Sequence, residues 1–182
     1  MKNQMILIAG RTGSGKNTYA DILKEKGYKE VISYTTRPKR YETEDTHIFI
    51  SNEEADIIED KVASTTINDY KYFATKKQIQ DADYYIIDPI GIAELTENCP
   101  DTEFLIIYID ADKETRYNRA LSRGNSEKEA DIFNKRNASE DKEFTEFEKI
   151  MNRYDNIIVH DNSKNGTDLR KMVESDLLLY NN

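Results

Sequence analysis

Five short apolar runs divide the sequence, and they are rich in Ile, Val, Tyr and Phe. They lie at residues 5–9, 30–33, 84–88, 104–109 and 156–160. Several runs are nearly unbroken by polar residues, which is typical of strands buried on both faces of a sheet. The stretches between them have helical spacing, as in residues 18–26, where Tyr19, Ile22 and Leu23 share one side. Strands that alternate with helices predict a parallel sheet wrapped by helices.

Two segments interrupt this alternation. Residues 34–76 hold short alternating pieces, among them 47–50 and 70–73, and indicate a small β-rich excursion. Residues 111–153 have a helical pattern in which acids outnumber bases. Such polar helices have little to bury, so we expect a mobile lid here.

The chain has no internal repeat and no Pro/Gly/Ser-rich linker, so we expect a single domain over residues 1–182. The predicted fold class is α/β, a three-layer sandwich with a five-stranded parallel sheet. Its expected parts are a core (1–33, 77–110 and 154–182), a small β-rich insert (34–76) and a lid (about 111–153).

Composition narrows the function. The chain has 182 residues, enough for one well-buried domain, and its formal net charge is −9. A general binder of nucleic acid or of membrane surfaces needs a basic face, so we expect neither partner. An anionic ligand must instead meet a local group of cations. The oligomeric state is left open between monomer and homodimer.

Cysteine and histidine are scarce. Cys99 is the single cysteine, which excludes an intramolecular disulfide and zinc sites with two or more cysteines. His47 and His160 are the two histidines, too few for the usual metal sites. No run approaches the roughly 18 apolar residues of a membrane span. The apolar part of the N-terminus is too short for a signal peptide, so we expect a cytoplasmic protein.

The segment "GRTGSGKN" follows the first apolar run directly. Gly10, Gly15 and Lys16 satisfy G-x-x-x-x-G-K, and Gly13 adds freedom between them. Glycines let the backbone aim successive N–H groups at a phosphate, and the next helix adds its N-terminal partial positive charge. Lys16 would reach the outer phosphates. The predicted ATP-binding residues are Gly10, Arg11, Thr12, Gly13, Ser14, Gly15, Lys16, Asn17 and Thr18.

Asn17 departs from the usual pattern, because a Ser or Thr hydroxyl at this position normally coordinates Mg²⁺. An amide oxygen is also a hard, neutral ligand, so Asn17 is a candidate for the metal, directly or through water. Two alternatives stay open. Thr18 takes the place of the missing hydroxyl, or substrate oxygens and water hold the metal alone.

A second anion site is predicted in "SYTTRPKR", residues 33–40. Arg37 and Arg40 stand three residues apart, close to hydroxyl residues. Arginine forks bind phosphate bidentately. Pro38 between them favours a stiff, non-helical loop.

Taken together, these motifs resemble the guanylate kinase family of P-loop nucleoside monophosphate kinases. The likeness rests on the G-x-x-x-x-G-K loop and on S-x-T-T-R-x-x-R some twenty residues later. It continues through "HIFIS" (47–51), "YFAT" (72–75), "RALSRG" (119–124), "NKR" (134–136) and "YDNIIVHD" (154–161). The likeness covers nearly the whole chain, and its first two motifs are the specific part.

The resemblance implies a P-loop-type fold in which residues 34–76 form an acceptor-binding insert. It also implies small-molecule nucleotides as partners and transfer of a phosphoryl group from MgATP to GMP or a related nucleotide. It makes Lys16, Arg123 and Arg136 the catalytic cations, with Arg119 as a further candidate from the lid. The positions that it assigns to the acceptor are Ser33, Arg37, Arg40, His47, Ser64, Tyr72 or Phe73, Thr75 and Asp88.

Besides Asn17, three positions differ from the residues that are usual in the family. Ser64 stands near the place of a glutamate that reads guanine, His47 replaces a phosphate-binding tyrosine, and Ile86 replaces an aspartate. Losing a carboxylate acceptor weakens preference for guanine. Alternatives therefore stay open, namely a kinase for another deoxynucleotide or a ribose phosphate, and a non-catalytic guanylate-kinase-like binding module.

Overall fold

The computed structural model describes residues 3–67, 69–122, 124, 126–163 and 167–181. Its strands are β1 (Asn3–Ala9), β2 (Tyr34–Thr35), β3 (Ile48–Phe49), β4 (Lys61–Ile67), β5 (Tyr70–Thr75), β6 (Tyr84–Ile86), β7 (Thr102–Asp110) and β8 (Ile157–Asp161). Its helices are α1 (Lys16–Glu25), α2 (Asn52–Ile57), α3 (Lys76–Asp81), α4 (Pro89–Asn98), α5 (Lys113–Leu121), α6 (Ser126–Ile150) and α7 (Leu169–Tyr180), with a 3-10 turn at Met151–Arg153.

The central sheet is parallel, with strand order β6-β1-β7-β8. All seven residues of β1 pair with β7, with Ile6 opposite Leu105. Residues 5–9 of β1 have no exposed surface. A strand that is buried on both faces needs an unbroken apolar sequence, which is the pattern at residues 5–9.

The predicted fifth strand at residues 30–33 is wrong. Only Glu30 bridges Tyr84, beside β6. Past Val31 the chain turns to the other sheet, because the carbonyl of Ser33 already accepts from the N–H of Ile48 at 2.9 Å. The carbonyl of Ile32 is taken by the side chain of Gln78, at 2.6 Å. The backbone carbonyls of this segment therefore have hydrogen-bond partners other than a neighbouring strand of the parallel sheet.

A second, mixed sheet has the order β3-β2-β5-β4. Its β2 and β3 are parallel, whereas β2 with β5 and β4 with β5 are antiparallel. The register of β4 shifts between Val62 and Thr65, where Ala63 takes a φ of 52°. Tyr34 of β2 stacks on Phe73 of β5. All four strands of this sheet come from residues 34–75, and the sheet is separate from the parallel one.

Helices cover both faces of the parallel sheet. One face packs against α1 and α7, with Tyr19, Leu23 and Val173 among its fully buried residues. The opposite face packs against α4 and α6. The helix–sheet–helix layering agrees with the predicted α/β P-loop fold.

Helix α6 buries more than its charge predicts. Phe133, Phe144 and Phe147 are each less than 5% exposed. Phe144 stacks on Tyr108 of β7, and the ring of Phe147 lies tilted against the same tyrosine. The expectation that this segment has little to bury is therefore wrong for α6. Across the described ranges no helix combines the length and apolarity that crossing a membrane requires.

Candidate nucleotide-binding site

The loop between β1 and α1 turns tightly at Gly10 and Gly15, where no other residue fits. Gly10 has a φ of 150°, and a Cβ there would lie 2.2 Å from the carbonyl oxygen of Ile109. Gly15 has a φ of 113°, and a Cβ there would lie 2.4 Å from the side-chain nitrogen of Asn162. Side chains are thus excluded from the places where the backbone folds most closely.

The loop ends at the N-terminus of α1 with its amides uncapped by side chains. Gly15 is the N-cap residue, and the described first turn contains no acid. The first N–H groups and the partial positive charge of the helix are therefore available to an anion. The ammonium group of Lys16 binds the loop carbonyls of Gly10 and Arg11, the latter at 3.1 Å.

A cavity of about 600 Å³ opens over this loop, and it is bordered by three parts of the molecule. The loop and α1 contribute Lys16 and the exposed Asn17. The region of the second sheet contributes Ile67 of β4 and His47, which directly precedes β3, and α6 contributes Arg136. Its complete lining is Gly10, Thr12, Gly13, Gly15, Lys16, Asn17, Thr18, His47, Ile67, Ile86, Ile87, Asp88, Arg136, Glu140, Glu143 and Phe144.

Three carboxylates line this cavity, those of Asp88, Glu140 and Glu143. Asp88 caps α4 by accepting the N–H of Gly91 at 2.6 Å, and Glu143 accepts the N–H of Ile90 at 3.2 Å. Burial raises the pKa of Asp88, and burial together with the nearby Asp88 raises the pKa of Glu143. Asp88 thus has a helix-capping role besides its predicted position at the site.

Two of the predicted ATP-binding residues turn their side chains away from the cavity. Arg11 is 9% exposed and pairs with Glu148 of α6. Ser14 is fully buried. Thr12 does line the cavity, but its N–H and its hydroxyl both donate to Glu140 of α6, at 2.7 and 2.6 Å. Arg11 and Ser14 therefore serve this loop through their backbones, and their side chains do not line the cavity.

The arginines of α5 support the loop from behind. Arg119 donates to the carbonyls of Gly13, Ser14 and Asn162 at 3.4, 3.3 and 2.7 Å. Arg116, which sequence reasoning missed, is 4% exposed and donates to the carbonyl of Thr12. In this structure Arg119 thus binds loop carbonyls and does not line the cavity, and its role as a lid arginine stays a prediction. Arg123 lies outside the described residues.

Residues 33–44 hold the predicted acceptor residues Ser33, Arg37 and Arg40 and are called the acceptor loop below. This segment carries an internal counter-ion that sequence reasoning missed. Glu44 is 1% exposed and holds both terminal nitrogens of Arg37, at 2.8 and 3.2 Å. It also accepts the backbone N–H of Arg40 at 2.6 Å. The hydrogen bonds from Arg37 lower the pKa of Glu44 to about 2. Arg40 extends its guanidinium toward solvent, with its side chain 55% exposed.

His47 and Tyr72 stand beside this pair. The Nδ1 atom of His47 lies 3.1 Å from the hydroxyl of Ser33, and its ring meets that of Tyr72 at 5.6 Å. Burial lowers the pKa of His47, and the positive charge of Arg37 adds to the effect. The imidazole is therefore neutral at neutral pH. Ser33 and His47 also line a neighbouring cavity of about 590 Å³, which includes Asn17.

The remaining acceptor candidates have other surroundings. Phe73 is 2% exposed and belongs to the packing of the second sheet, so Tyr72 is the aromatic residue of this pair that stands near Arg37. Thr75 and Gln78 form a capping box at α3, which the spacing T-x-x-Q indicates. Ser64 is exposed on β4, and its N–H donates to Glu94 of α4.

Arg40 and Arg136 meet at a third cavity, of about 340 Å³. Thr12 of the glycine loop lines the same space, so the loop, the acceptor loop and α6 converge there. The apolar wall comes from α5 and α6, with Phe133 at its base. Within the described residues, no group of three or more His, Cys, Asp or Glu side chains is arranged to hold a metal ion.

A glycine-rich turn between a buried parallel strand and a helix, with a lysine at the helix start, defines a P-loop nucleotide-binding domain. The AAA domain family model matches residues 6–148, and the chain belongs to this family. The resemblance stated from the motifs is confirmed at the level of the P-loop domain and the fold.

The crystal structure of guanylate kinase from Anaplasma phagocytophilum has a similar fold. It aligns with a TM-score of 0.59 and 14% sequence identity, over 98% of this chain and 85% of that chain. At that identity the likeness concerns the fold alone. No curated protein sequence matches the chain.

Proposed function

We propose that the protein is an ATP-dependent nucleoside monophosphate kinase that transfers a phosphoryl group to GMP or a related nucleotide. The observation that carries the proposal is the third cavity, where Thr12 of the P-loop, Arg40 of the acceptor loop and Arg136 of α6 line one space. A phosphoryl group in transit has to pass between a donor site and an acceptor site, and it needs cations around its charge.

The donor site fits a triphosphate. Its backbone is bent at positions where any Cβ would clash, and the uncapped amides of α1 face the cavity. Lys16 lies at the edge of that cavity and would exchange its loop carbonyls for phosphate oxygens. Since the P-loop amides are fixed by the fold, they require little rearrangement to receive the anion.

The acceptor site has one arginine fixed and one exposed. Glu44 holds Arg37 in one orientation, while Arg40 is only weakly paired with Glu44, at 3.9 Å. His47 and Tyr72 stand next to Arg37 and would contribute neutral hydrogen-bond donors. The acceptor phosphate oxygen is already anionic, so the transfer needs no general base.

The donor atoms present fit Mg²⁺. Asn17 and Asp88 line the P-loop cavity, and amide and carboxylate oxygens are the hard ligands that Mg²⁺ takes alongside water and phosphate oxygens. We assign Asn17 to this role in place of the missing hydroxyl residue. The ion would neutralise charge on the outer phosphates.

The two inserted segments receive complementary roles. Residues 34–76 would bind the acceptor nucleotide, and residues within 111–153 would cover the phosphates. Arg136 would lie against the transferring group, and the cover would exclude water and so prevent hydrolysis of ATP.

A second candidate is a kinase of the same build with another phosphorylated acceptor. It is favoured by Ser64, which presents a hydroxyl on β4 where a carboxylate would read guanine, and by the neutral His47. Guanine offers an N1–H and an exocyclic amine, both of which need acceptors.

An acceptor panel separates these candidates. ADP release with MgATP would be followed by a coupled assay against GMP, dGMP, AMP, CMP, UMP, dTMP and ribose 5-phosphate. We expect a guanine nucleotide to accelerate release most. Preference for another acceptor would favour the second candidate. ATP binding by calorimetry without any acceptor-dependent release would contradict the kinase assignment and leave a binding module.

A further inference from the structure

The side chain of Arg11 in the P-loop does not line the P-loop cavity and binds Glu148 of α6 instead. We propose that Arg11 is a positioning residue, which fixes α6 to the P-loop and thereby places Arg136 at the phosphates. The inference rests on the proposed function, since it assigns Arg136 to the transferring group. Arg11 itself does not line the P-loop cavity, so this role does not include contact with the nucleotide.

One face of α6 surrounds the guanidinium group. Glu148 accepts from both terminal nitrogens, Thr145 accepts at 3.3 Å, and Asp141 lies 3.7 Å from Nε. The ring of Phe144 lies 5.4 Å from the guanidinium carbon. These four residues are spaced three, one and three apart, which places them on one side of a helix. A single P-loop side chain thus contacts two turns of α6.

The Arg11–Glu148 pair is further supported from the sheet. The hydroxyl of Tyr108 donates to Glu148, and it also accepts from Arg11 at 3.1 Å. Burial alone would raise the pKa of Glu148, but the hydrogen bonds from Arg11 and Tyr108 outweigh it and lower the pKa. The side chain of Arg11 is only 10% exposed. That of Glu148 is 33% exposed. Bidentate pairs are directional, so they fix the angle as well as the distance between their partners.

The next residue of the loop binds the same helix. Thr12 holds Glu140 through two hydrogen bonds, at 2.7 and 2.6 Å. Arg136 precedes Glu140 by four residues, about 6 Å along the helix axis and on the same face. Because a helix moves as a rigid rod over such a distance, a shift at Arg11 and Thr12 carries Arg136 with it.

The pair is expected to affect the rate more than nucleotide binding. Loop amides and Lys16 would still hold the triphosphate when α6 tilts, whereas Arg136 would miss the transferring group. A misplacement of about 1 Å in such a group can cost roughly 100-fold in rate. Packing alone would keep the helix folded, because Phe144 and Phe147 are each 4% exposed in the core.

The test compares Arg11→Gln, Glu148→Gln and the double variant with Arg170→Gln. The control removes an exposed Arg–Glu pair, that of Arg170 with Glu25 at 2.7 Å between α7 and α1. Turnover number and KM would be measured for ATP and for the best acceptor. Hydrogen exchange of residues 136–148 would be followed with and without ATP.

We expect each single variant at the pair to lose about 10- to 100-fold in kcat, with KM for ATP changed less than about three-fold. The double variant should be no slower than the worse single one, because both break the same contact. Arg11→Lys should recover only part of the rate, since an ammonium group cannot pair bidentately. Residues 136–148 should exchange faster in these variants and not in Arg170→Gln.

Three results would overturn the proposal. They are a normal kcat in Glu148→Gln, losses that multiply in the double variant, and a KM for ATP that rises in step with the loss of kcat. If the unmodified chain shows no turnover with any acceptor, the proposed function fails, and hydrogen exchange decides the present inference. Faster exchange in the two single variants would then uphold the attachment of α6, and unchanged exchange would contradict it.

Discussion

The P-loop and the proposed acceptor site are built on opposite principles. The P-loop offers main-chain N–H groups held in place by glycines, with no acid in the described first turn of α1. The acceptor loop offers guanidinium groups, and it buries Glu44 to hold Arg37. Main-chain dipoles carry no full charge and need no counter-ion, whereas a partly buried guanidinium does. The first site is therefore ready for its ligand, and in the second only Arg40 is exposed.

Replacing Lys16 with alanine breaks the donor site most severely. The variant loses the one full positive charge that α1 places at the cavity, so we expect turnover to fall about 1000-fold or more. A coupled ADP-release assay measures the loss. Lys26→Ala serves as the matched control, because Lys26 pairs with Glu174 at 3.2 Å and is far from the cavity lining. A near-normal rate in Lys16→Ala would remove the donor site from the account.

At the acceptor site, Arg40→Gln should have the next largest effect. It removes the exposed guanidinium and leaves the Arg37–Glu44 pair in place. We expect kcat/KM for the acceptor to fall roughly 100-fold, because a charge-assisted contact to phosphate is lost, with ATP affinity unchanged. Lys39→Gln next to it is the control for net charge. Equal losses in both variants would reduce the role of Arg40 to long-range attraction.

Sequence reasoning found the donor site because its signal is local. The glycines and Lys16 form a motif by their spacing alone, and an unbroken apolar run precedes them. The bond between Arg37 and Glu44 has no such signal, since it depends on how a loop of eight residues folds. In a sequence, an acid close to an arginine usually indicates two charged residues on the surface.

Longer-range features were missed for a related reason. The apolar run at 30–33 resembles a strand, but pairing of Ser33 with Ile48 in the other sheet decides its course. In α6, the buried phenylalanines are outnumbered by acids, so the charge pattern concealed the core contact. Arg11 looked like a ligand-binding residue because of its place in the loop. Its partner, Glu148, lies 137 positions away.

The stability of the protein at acidic pH tests whether Glu44 is the counter-ion that distinguishes the acceptor loop from the P-loop. Pairing with Arg37 holds the pKa of Glu44 at about 2, below its ordinary value of 4.5. Ionised Glu44 thus stabilises the fold above pH 4.5, and this contribution is lost as the pH falls toward 2. Glu44→Gln should lower the free energy of unfolding at pH 7 by about 1–3 kcal/mol.

The same variant should flatten the pH dependence between pH 4.5 and 2, and urea unfolding at a series of pH values measures both effects. Glu42→Gln, at an exposed neighbouring position, should match the unmodified chain. If the free energy of unfolding of Glu44→Gln falls between pH 4.5 and 2 as steeply as that of the unmodified chain, the counter-ion does not stabilise the loop.

Asn17→Thr should have the smallest effect. It restores a hydroxyl at the exposed helix position that lines the P-loop cavity. We expect the Mg²⁺ concentration for half-maximal rate to change by only about two- to five-fold, because phosphate oxygens and water supply most of the ligands. Titration of Mg²⁺ at saturating ATP measures it. A loss of activity on the scale of Lys16→Ala would mean that the amide itself is essential.

The central claim is that the two anion sites face each other across the space lined by Thr12, Arg40 and Arg136. Calorimetry with an analogue in which adenosine and guanosine are joined by five phosphates tests it most directly. If the sites face each other, the analogue should bind one per chain and at least about 100-fold more tightly than ATP, and Arg40→Gln should abolish the gain. Binding no tighter than that of ATP, or a gain that survives Arg40→Gln, would contradict the claim.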